Sequence, residues 1–229
     1  MTLMSQNSMT LRQRLAEMLS VRPVTLRALL DEVTQTLQGT ALEQILRPDD
    51  QMPDFLLPDA QGNLVFSGDL LARGPLVVVF FRGDWCPFCR ETLTALNQIL
   101  PDIAAAGASL VALTFDVGDY VASDWEGLEL KFPVLSDLDG ATALTFGTIY
   151  RVPDDLRAFY EKAGVEIGVR HGSETWYLPI PSTFIVDRTG IVRHVHASGD
   201  VSDRMEPRDI VTRVLDVASV QAPDSRPPF

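Results

Sequence analysis

Apolar residues near the start of the chain recur at the three- and four-residue spacing of an amphipathic helix. The first stripe consists of Leu11, Leu15, Met18 and Leu19, and the second of Leu26, Leu29, Leu30, Val33 and Leu37. Gly39 follows the second stripe and is typical of a helix end. We therefore predict that residues 1–47 form an N-terminal helical extension. Its apolar stripes would dock on the main domain, which is our preferred interpretation, or on another subunit.

After a linker at residues 48–53, short apolar runs alternate with longer helical stripes. The predicted elements are, in order, a hairpin at 55–57 and 64–66, a strand at 76–81, a helix at 87–106, a strand at 110–115, a helix at 121–128, a short strand and helix within 132–147, a helix at 154–163, a hairpin at 183–186 and 191–195, and a helix at 207–218. This order predicts an α/β sheet with function at the carboxyl ends of its strands. We expect residues 48–218 to form this domain and residues 219–229 a flexible tail.

Composition matters mainly because it excludes classes of partner. A formal net charge of −12 over 229 residues is unsuited to nucleic acid, and it also disfavours anionic membrane surfaces. The longest apolar run, residues 75–81, is too short to span a bilayer. The first 20 residues lack a continuous apolar segment, so we expect no signal peptide. With only two cysteines, the chain is predicted to be cytoplasmic, in a reducing compartment.

Both cysteines stand in the segment Trp85-Cys86-Pro87-Phe88-Cys89, between a predicted strand and a predicted helix. Pro87 suits the first turn of that helix. The helix dipole and free backbone N–H groups favour the thiolate of Cys86, so we expect Cys86 to be the more exposed and more acidic thiol. A Cys-x-x-Cys pair in this context is typical of a redox motif.

The motif and several other stretches resemble the thioredoxin-fold superfamily. The superfamily match rests on Trp-Cys-x-x-Cys after a buried strand and on Ile-Pro-Ser-Thr at 180–183. A closer resemblance is to the alkyl hydroperoxide reductase/thiol-specific antioxidant (AhpC/TSA) family, in its peroxiredoxin-like branch. The stretches that carry it are residues 52–59, 62, 80–86, 133–137, 178–181 and 200–207. The resemblance covers about residues 48–218 and implies a thioredoxin-like fold, a central mixed sheet flanked by helices.

The resemblance also implies a function. It indicates a thiol-based oxidoreductase with an antioxidant role that cycles between the Cys86/Cys89 dithiol and its disulfide. The sulfurs carry the electrons, so no bound cofactor or metal is implied. The expected partners are a thiol reductant such as thioredoxin or glutathione, an oxidised small-molecule or protein substrate and, in a homodimer, a second copy. The implied supporting residues are Trp85, Pro87, Arg82 and Pro181, of which Pro181 is expected in cis against the disulfide.

The sequence departs from the family at the positions that handle peroxide. In the peroxiredoxin pattern Pro-x-x-x-Thr-x-x-Cys, Arg82 stands at the proline, Cys86 at the threonine and Cys89 at the peroxidatic cysteine. Pro181 falls where the family has its catalytic arginine, and Phe80 falls where thioredoxins have a buried aspartate. Because preorganised donors stabilise charge that develops in the transition state, we predict weak peroxidase activity and a better reaction with disulfides.

Three questions remain open from the sequence: which cysteine reacts first, whether the pair is catalytic, and whether it binds zinc. Either Cys86 attacks first and Cys89 resolves, or Cys89 becomes a sulfenic acid that condenses with Cys86. The pair could also serve a non-catalytic redox-sensing or binding module. A zinc-binding domain would need two further ligands, for which His194 and His196 are candidates because alternate residues of a strand share a face. His171 falls in a polar loop, and we interpret it as solvated.

Overall fold

Two helices at the start of the chain are followed by an alternation of strands and helices. The structure, a computed structural model, describes residues 9–121, 124–125 and 128–220. The α-helices are α1 (Leu11–Ser20), α2 (Val24–Gln38), α3 (Ser67–Leu71), α4 (Pro87–Ala105), α5 (Ala141–Phe146), α6 (Asp154–Lys162), α7 (Ile167–His171) and α8 (Pro207–Val220). The strands are β1 (Leu56–Pro58), β2 (Leu64–Phe66), β3 (Leu76–Phe80), β4 (Ser109–Thr114), β5 (Asp124–Trp125), β6 (Leu128–Glu129), β7 (Val134–Ser136), β8 (Ile149–Arg151), β9 (Tyr177–Pro179), β10 (Ser182–Val186) and β11 (Val192–Ala197).

Five of these strands form the central sheet in the order β11-β10-β3-β4-β7. β4 runs parallel to both β3 and β7, whereas β10 is antiparallel to both β3 and β11. Every residue of β3 and of β10 is buried, as expected for strands covered by other elements on both faces. The mixed sheet with flanking helices confirms the predicted α/β fold class.

Helix α4 positions the cysteines and closes one face of the sheet. It begins at Pro87 and ends before Gly107, whose φ of 73° lies in the left-handed region that favours glycine. Its inner face carries Leu93, Leu96 and Ile103, which are at most 1% exposed. Helices α1 and α8 pack against α4. The start of α4 therefore lies at the carboxyl end of β3, at the edge where function was predicted.

The described part of the N-terminal extension packs on the domain. Leu11 and Leu15 of α1, and Leu30, Val33 and Leu37 of α2, belong to the same hydrophobic cluster as the central sheet. Docking on the main domain is therefore confirmed for residues 9–47. The predicted linker is also held in place, because residues 49–52 pair with residues 190–192.

Two predicted segments differ from the structure. The helix expected at 121–128 is wrong, because β5 pairs antiparallel with β6; Asp124 and Gly127 are weak helix formers. The stretch that follows α5 is more regular than predicted, since β8 pairs with β9 and α7 lies between α6 and β9. Helix α8 continues to Val220, and residues 221–229 of the expected tail lie outside the described residues.

Candidate active site

The two cysteines meet at the start of α4. Cys86 occupies the N-cap position and Pro87 follows in the first turn, where the missing N–H of proline removes no intrahelical hydrogen bond. The carbonyl of Cys86 accepts hydrogen bonds from the backbone N–H groups of Cys89 and Arg90, both at 3.0 Å. The thiol of Cys89 donates a hydrogen bond to the sulfur of Cys86. Two free thiols thus lie side by side, as a dithiol–disulfide cycle requires.

Neither sulfur faces solvent. Cys86 and Cys89 are each 2% exposed, so the prediction that Cys86 is the more exposed thiol is wrong. Two segments that are distant in sequence cover the cysteines. Helix α2 packs against α6, and both helices line a cavity of about 210 Å³ beside the motif. The cover residues that line this cavity include Leu26, Leu30, Phe159, Tyr160 and Ala163. Cys86 lines the cavity and Cys89 does not.

The surroundings give the two thiols opposite acidities. The hydrogen bond from Cys89 is the largest influence on Cys86 and, together with the positive charge of Arg82, lowers the pKa of Cys86 against the effect of burial. Burial, followed by the hydrogen bond that it gives to Cys86, raises the pKa of Cys89 well above its ordinary value. This arrangement makes Cys86 the thiolate and Cys89 the proton-bearing thiol, in line with the acidity expected at a helix start.

Two buried arginines accompany the pair. Arg82 is 2% exposed and Arg204 is 5% exposed, and the charges of both lower the pKa of Cys86. The Nε and Nη2 atoms of Arg82, and the Nη2 atom of Arg204, have no hydrogen-bond partner within the described residues. The guanidinium of Arg82 lies 5.8 Å from the ring centroid of Tyr150. Both arginines can therefore offer N–H donors to negative charge that develops at the cysteines.

The sequence motif points to Arg82, but it does not point to Arg204, which comes after β11 near the end of the domain. Arg204 is held by its Nη1, which donates to the carbonyls of Asp200 at 2.9 Å and Asp203 at 2.6 Å. The carboxylate of Asp200 closes this turn by accepting hydrogen bonds from the backbone N–H and the hydroxyl of Ser202. The resemblance of residues 200–207 to the family was the one hint in the sequence that this stretch matters. It does not indicate that Arg204 lies near the cysteines.

The same loop fastens the N-terminal extension. The carboxylate of Glu206 accepts hydrogen bonds from the backbone N–H groups of Leu11, at 3.0 Å, and Arg12, at 2.8 Å. A carboxylate at the start of a helix is favoured by the helix dipole. Asp203 also pairs with the guanidinium of Arg12 at 2.8 Å. Residues 200–206 therefore hold both Arg204 and the first turn of α1.

Trp85 and Pro87 lie beside Cys86. Both line the cavity next to Cys86, and the half-buried Trp85 ring packs edge-on against Tyr160 with centroids 5.2 Å apart. Pro87 begins α4, and Trp85 belongs to the loop that precedes it. The two residues thus form the wall of the cavity on the motif side, opposite the side chains from α2 and α6.

Pro181 is buried between β9 and β10, but it is not in the predicted conformation. The structure contains no cis peptide bond among the residues that it describes, so the Ile180–Pro181 bond is trans. The chain passes from β9 into β10 with only these two residues between the strands, and the Ile180 N–H continues the pairing by donating to the carbonyl of Thr148 at 2.7 Å. A trans bond suits this extended passage. Pro181 is also not among the residues that line the cavity at Cys86.

A second buried polar cluster, which we call the Asp116 cluster (Asp84, Asp116, Arg170 and His171), lies on the other side of the loop that leads to Cys86. The carboxylate of Asp116, which is fully buried, lies 3.6 Å from His171 Nε2 and 3.7 Å from Arg170 Nη1. Arg170 also pairs with Asp84. Burial raises the pKa of Asp116 to about 8, against the attraction of Arg170. Burial, followed by the charge of Arg170, lowers the pKa of His171 to about 4.

His171 corrects another prediction, because it is 8% exposed rather than solvated. It ends α7, which buries Ile167 one turn earlier, and residues four apart on a helix share a face. A helix of only five residues carries no periodic signal in the sequence.

Gly83 lies between the cysteine site and the Asp116 cluster. Its φ of 143° is in the region that side chains rarely adopt, and a Cβ there would stand 2.5 Å from both Asp116 Oδ2 and Trp85 Nε1. Glycine permits this conformation and this close approach. Because β3 and β4 are adjacent and parallel, their carboxyl ends bring the loop before Cys86 next to Asp116.

The zinc alternative has no ligand set in the part of the chain that the structure describes, where no group of three or more His, Cys, Asp or Glu residues could hold a metal ion. His194 lies in a cleft with Asp187 and Asp216, and His196 Nε2 lies 3.4 Å from Asp203. In the same described residues, the helices are all too short or too polar to cross a bilayer.

The model of the AhpC/TSA family matches residues 48–195. A Mycobacterium tuberculosis protein named "Putative peroxiredoxin" is 30% identical over 161 residues, which are 69% of this chain and 91% of that protein. The thiol-disulfide oxidoreductase ResA of Bacillus thuringiensis is 24% identical over 143 residues, which are 62% of this chain. The match spans 65% of the length of that ResA.

Solved structures show the same fold. The crystal structure of the peroxidoxin BcpB from Mycobacterium tuberculosis superimposes with a TM-score of 0.58 and 22% sequence identity, over 78% of this chain and 99% of that chain. A mutant of peroxiredoxin 6 from Arenicola marina gives a TM-score of 0.57 and 16% identity, over 80% of each chain. At these identities the likeness concerns the fold alone, and it confirms the predicted thioredoxin-like architecture.

Proposed function

Because the chain belongs to the AhpC/TSA family, we propose that it is a thiol-based oxidoreductase whose Cys86/Cys89 dithiol reduces an oxidised substrate and is regenerated by a cellular thiol. The observation that carries this proposal is the asymmetry of the pair: Cys86 is acidified beside two buried arginines, while Cys89 keeps a proton. The names of the relatives, which include thiol-disulfide oxidoreductase and peroxiredoxin, support it.

The proposed reaction with a disulfide uses each cysteine once. The Cys86 thiolate attacks one sulfur of the substrate, and the other substrate sulfur leaves as a thiolate. Cys89 loses its proton and attacks the sulfur of Cys86, which releases the second substrate thiolate and closes the Cys86–Cys89 disulfide. Two electrons pass to the substrate, and the two released thiolates take up protons. Two thiols of the reductant then reopen the disulfide by the same exchange in reverse.

A second candidate reaction, peroxide reduction, is favoured by N–H groups of Arg82 and Arg204 that make no hydrogen bond within the described residues. The Cys86 thiolate would attack the O–O bond, forming a sulfenic acid and releasing the other oxygen as an alcohol once it is protonated. Cys89 would condense with the sulfenic acid, and water would leave. Arg204 was not considered in our prediction of weak peroxidase activity, and it adds a second buried cation beside Arg82. The weak peroxidase activity and the expected preference for disulfides both stay predictions.

Each supporting residue has a proposed role. Trp85 and Pro87 shape the approach to Cys86, and Arg82 stabilises the thiolate and the charge that develops during attack. For Pro181 we propose only a structural role, between β9 and β10. The reductant would be thioredoxin or glutathione, and the location the cytoplasm, where such donors keep thiols reduced. A homodimer stays a prediction, which sedimentation would check.

Stopped-flow measurement of the reduced protein with hydroxyethyl disulfide and, separately, with hydrogen peroxide tests the proposal. Repeated turnover with excess thioredoxin and its reductase, lost in Cys86→Ser, is the expected result. A single oxidation event without turnover under any thiol donor would instead support the redox-sensing alternative. The ratio of the two oxidation rates tests the predicted preference for disulfides.

A further inference from the structure

The cavity beside Cys86 has a distinctive lining. Most of its lining side chains are apolar or aromatic: Leu26, Leu30, Phe88, Phe159, Ala163, Val165 and Val201. Apart from the Cys86 thiolate, the charged residues that line it, Arg22 and Arg82, are both positive. This is unusual in a chain of net charge −12, and it gives the cavity one chemical preference, for a molecule with an apolar body and a negative group.

Arg82 lies beside the Cys86 thiolate but forms no ion pair with a carboxylate within the described residues. Its Nε and Nη2 atoms are buried and make no hydrogen bond within the same residues. The thiolate of Cys86 is one negative charge facing two buried guanidinium groups, those of Arg82 and Arg204. A buried charge without compensation is costly, so a bound anion would complete the site.

We propose that this cavity binds a small organic acid, with its carboxylate on the free N–H groups of Arg82 and its apolar body between α2 and α6. This inference rests on the proposed function in one respect, namely that the bound acid is the substrate that Cys86 attacks. Arg22, whose guanidinium lies 5.9 Å from the ring centroid of Phe88, adds a second positive charge to the lining. The preferred oxidant would therefore be a small molecule that bears a carboxylate.

Size supports a small ligand. The cavity holds about 210 Å³, which is below the roughly 300–1,000 Å³ of pockets that hold drug-sized molecules. A six-carbon chain with a carboxylate is of suitable size for a cavity that leads to a sulfur only 2% exposed. Charge selection by Arg82 and exclusion by size are thus two parts of one specificity.

Calorimetric titration of the reduced, full-length protein with hexanoate tests the site, and hexanamide serves as the neutral ligand of matched shape. We expect hexanoate to bind and hexanamide to bind at least about ten-fold more weakly, since charge-assisted hydrogen bonds are the stronger kind. Arg82→Gln should weaken hexanoate by about ten- to a hundred-fold. Arg208→Gln, at an exposed arginine of α8, should leave its affinity unchanged.

A second variant tests the same site without changing Arg82, and it is used if Arg82→Gln does not fold. Ala163 is exposed and lines the cavity, so Ala163→Trp should fill the entrance and abolish hexanoate binding while Arg82 remains. Equal binding of acid and amide, or hexanoate binding unaffected by Ala163→Trp, would overturn the proposed site. Because the readout is binding, a protein that turns over disulfides but ignores hexanoate refutes only this inference. A protein that binds hexanoate through Arg82 but shows no turnover refutes only the proposed function.

Discussion

The cysteine site and the Asp116 cluster lie on opposite sides of one short loop, and burial has opposite consequences in them. Cys86 is 2% exposed and Asp116 is fully buried. Yet the pKa of Cys86 is lowered, while the pKa of Asp116 is raised to about 8. In the first site the acid receives a hydrogen bond from Cys89 and lies near two arginines. In the second, Arg170 is shared with Asp84, whose own charge opposes ionisation of Asp116.

In these two sites the partners of a buried acid, and not its depth, decide its charge. Both sites stand at the carboxyl ends of adjacent parallel strands, β3 and β4. The cysteine site holds two arginines, each with at least one N–H group that makes no hydrogen bond within the described part of the chain, so it stabilises negative charge. The Asp116 cluster holds Asp116 and His171 in their neutral forms near pH 7. The first arrangement favours a thiolate, whereas the second keeps both an acid and a base uncharged.

Removing either cysteine should have the largest effect and should separate their roles. Cys86→Ser should lower disulfide turnover by on the order of 10³-fold or more, because the nucleophile is lost. Cys89→Ser should also stop turnover, but it should leave a substrate fragment attached to Cys86. Mass spectrometry of the intact variants checks this. A stable adduct on Cys89 in Cys86→Ser, with none in the other variant, would reverse the assignment.

Gly83→Ala should break the contact between the two sites. The added Cβ would lie 2.5 Å from Asp116 Oδ2 and from Trp85 Nε1, at a φ of 143°. We expect a loss of about 2–4 kcal/mol in the free energy of unfolding, since backbone strain and overpacking each cost about 1–3 kcal/mol. Gly62→Ala is the matched control, with a φ of 83° but nothing within 4 Å. Equal losses in urea unfolding of the two variants would show that the close approach is unimportant.

Arg204→Gln should weaken the stabilisation of the Cys86 thiolate by positive charge, and it leaves the Cys-x-x-Cys motif unchanged. Removing its charge should slow the reaction of Cys86 at pH 7 by about ten-fold, which corresponds to about 1.4 kcal/mol. Arg204→Lys should recover part of the rate, and Arg208→Gln should react like wild type. A rate that is unchanged in Arg204→Gln would mean that Arg204 only supports the loop of residues 200–206.

Asp116→Asn should have the smallest effect and should be visible as a pH dependence. The folded pKa of about 8 lies above the ordinary value of 3.8. Asp116 therefore contributes stability that is fully present below about pH 4 and is lost as the pH rises through 8. Asn cannot ionise. At pH 8.5 the free energy of unfolding of the variant should therefore exceed that of wild type by on the order of 1 kcal/mol, and its Tm should be higher by about 2–4 °C.

The window from pH 6.5 to 8.5 isolates Asp116 from His171. The pKa of His171 is lowered from 6.5 to about 4, so its contribution is present above pH 6.5 and is lost only as the pH falls. Asp216→Asn, at an exposed carboxylate of α8, is the control. A Tm difference between Asp116→Asn and wild type that stays constant across this window would contradict the raised pKa.

The fold and the position of the cysteine pair could be predicted from the sequence because both depend on local pattern. The buried run of β3, Pro87 at the start of α4 and the spacing of Cys86 and Cys89 are visible in neighbouring residues. Three features depend instead on which distant segments pack together in the fold. These are the position of Arg204 near the cysteines, the cover that α2 forms over them and the burial of His171. A five-residue helix has no periodicity to detect. The predicted cis bond at Pro181 was wrong because it came from resemblance, whereas the local chain runs extended from β9 into β10.

The most direct test of the account is a pH series of alkylation by iodoacetamide on the reduced wild-type protein, with each cysteine followed by mass spectrometry. We predict that Cys86 reacts first, with a midpoint below the value of about 8.5 for an ordinary thiol. Cys89 should remain unmodified until higher pH, because it keeps its proton and does not line the cavity. Faster modification of Cys89, or an ordinary midpoint for Cys86, would contradict the claim that this site stabilises the Cys86 thiolate.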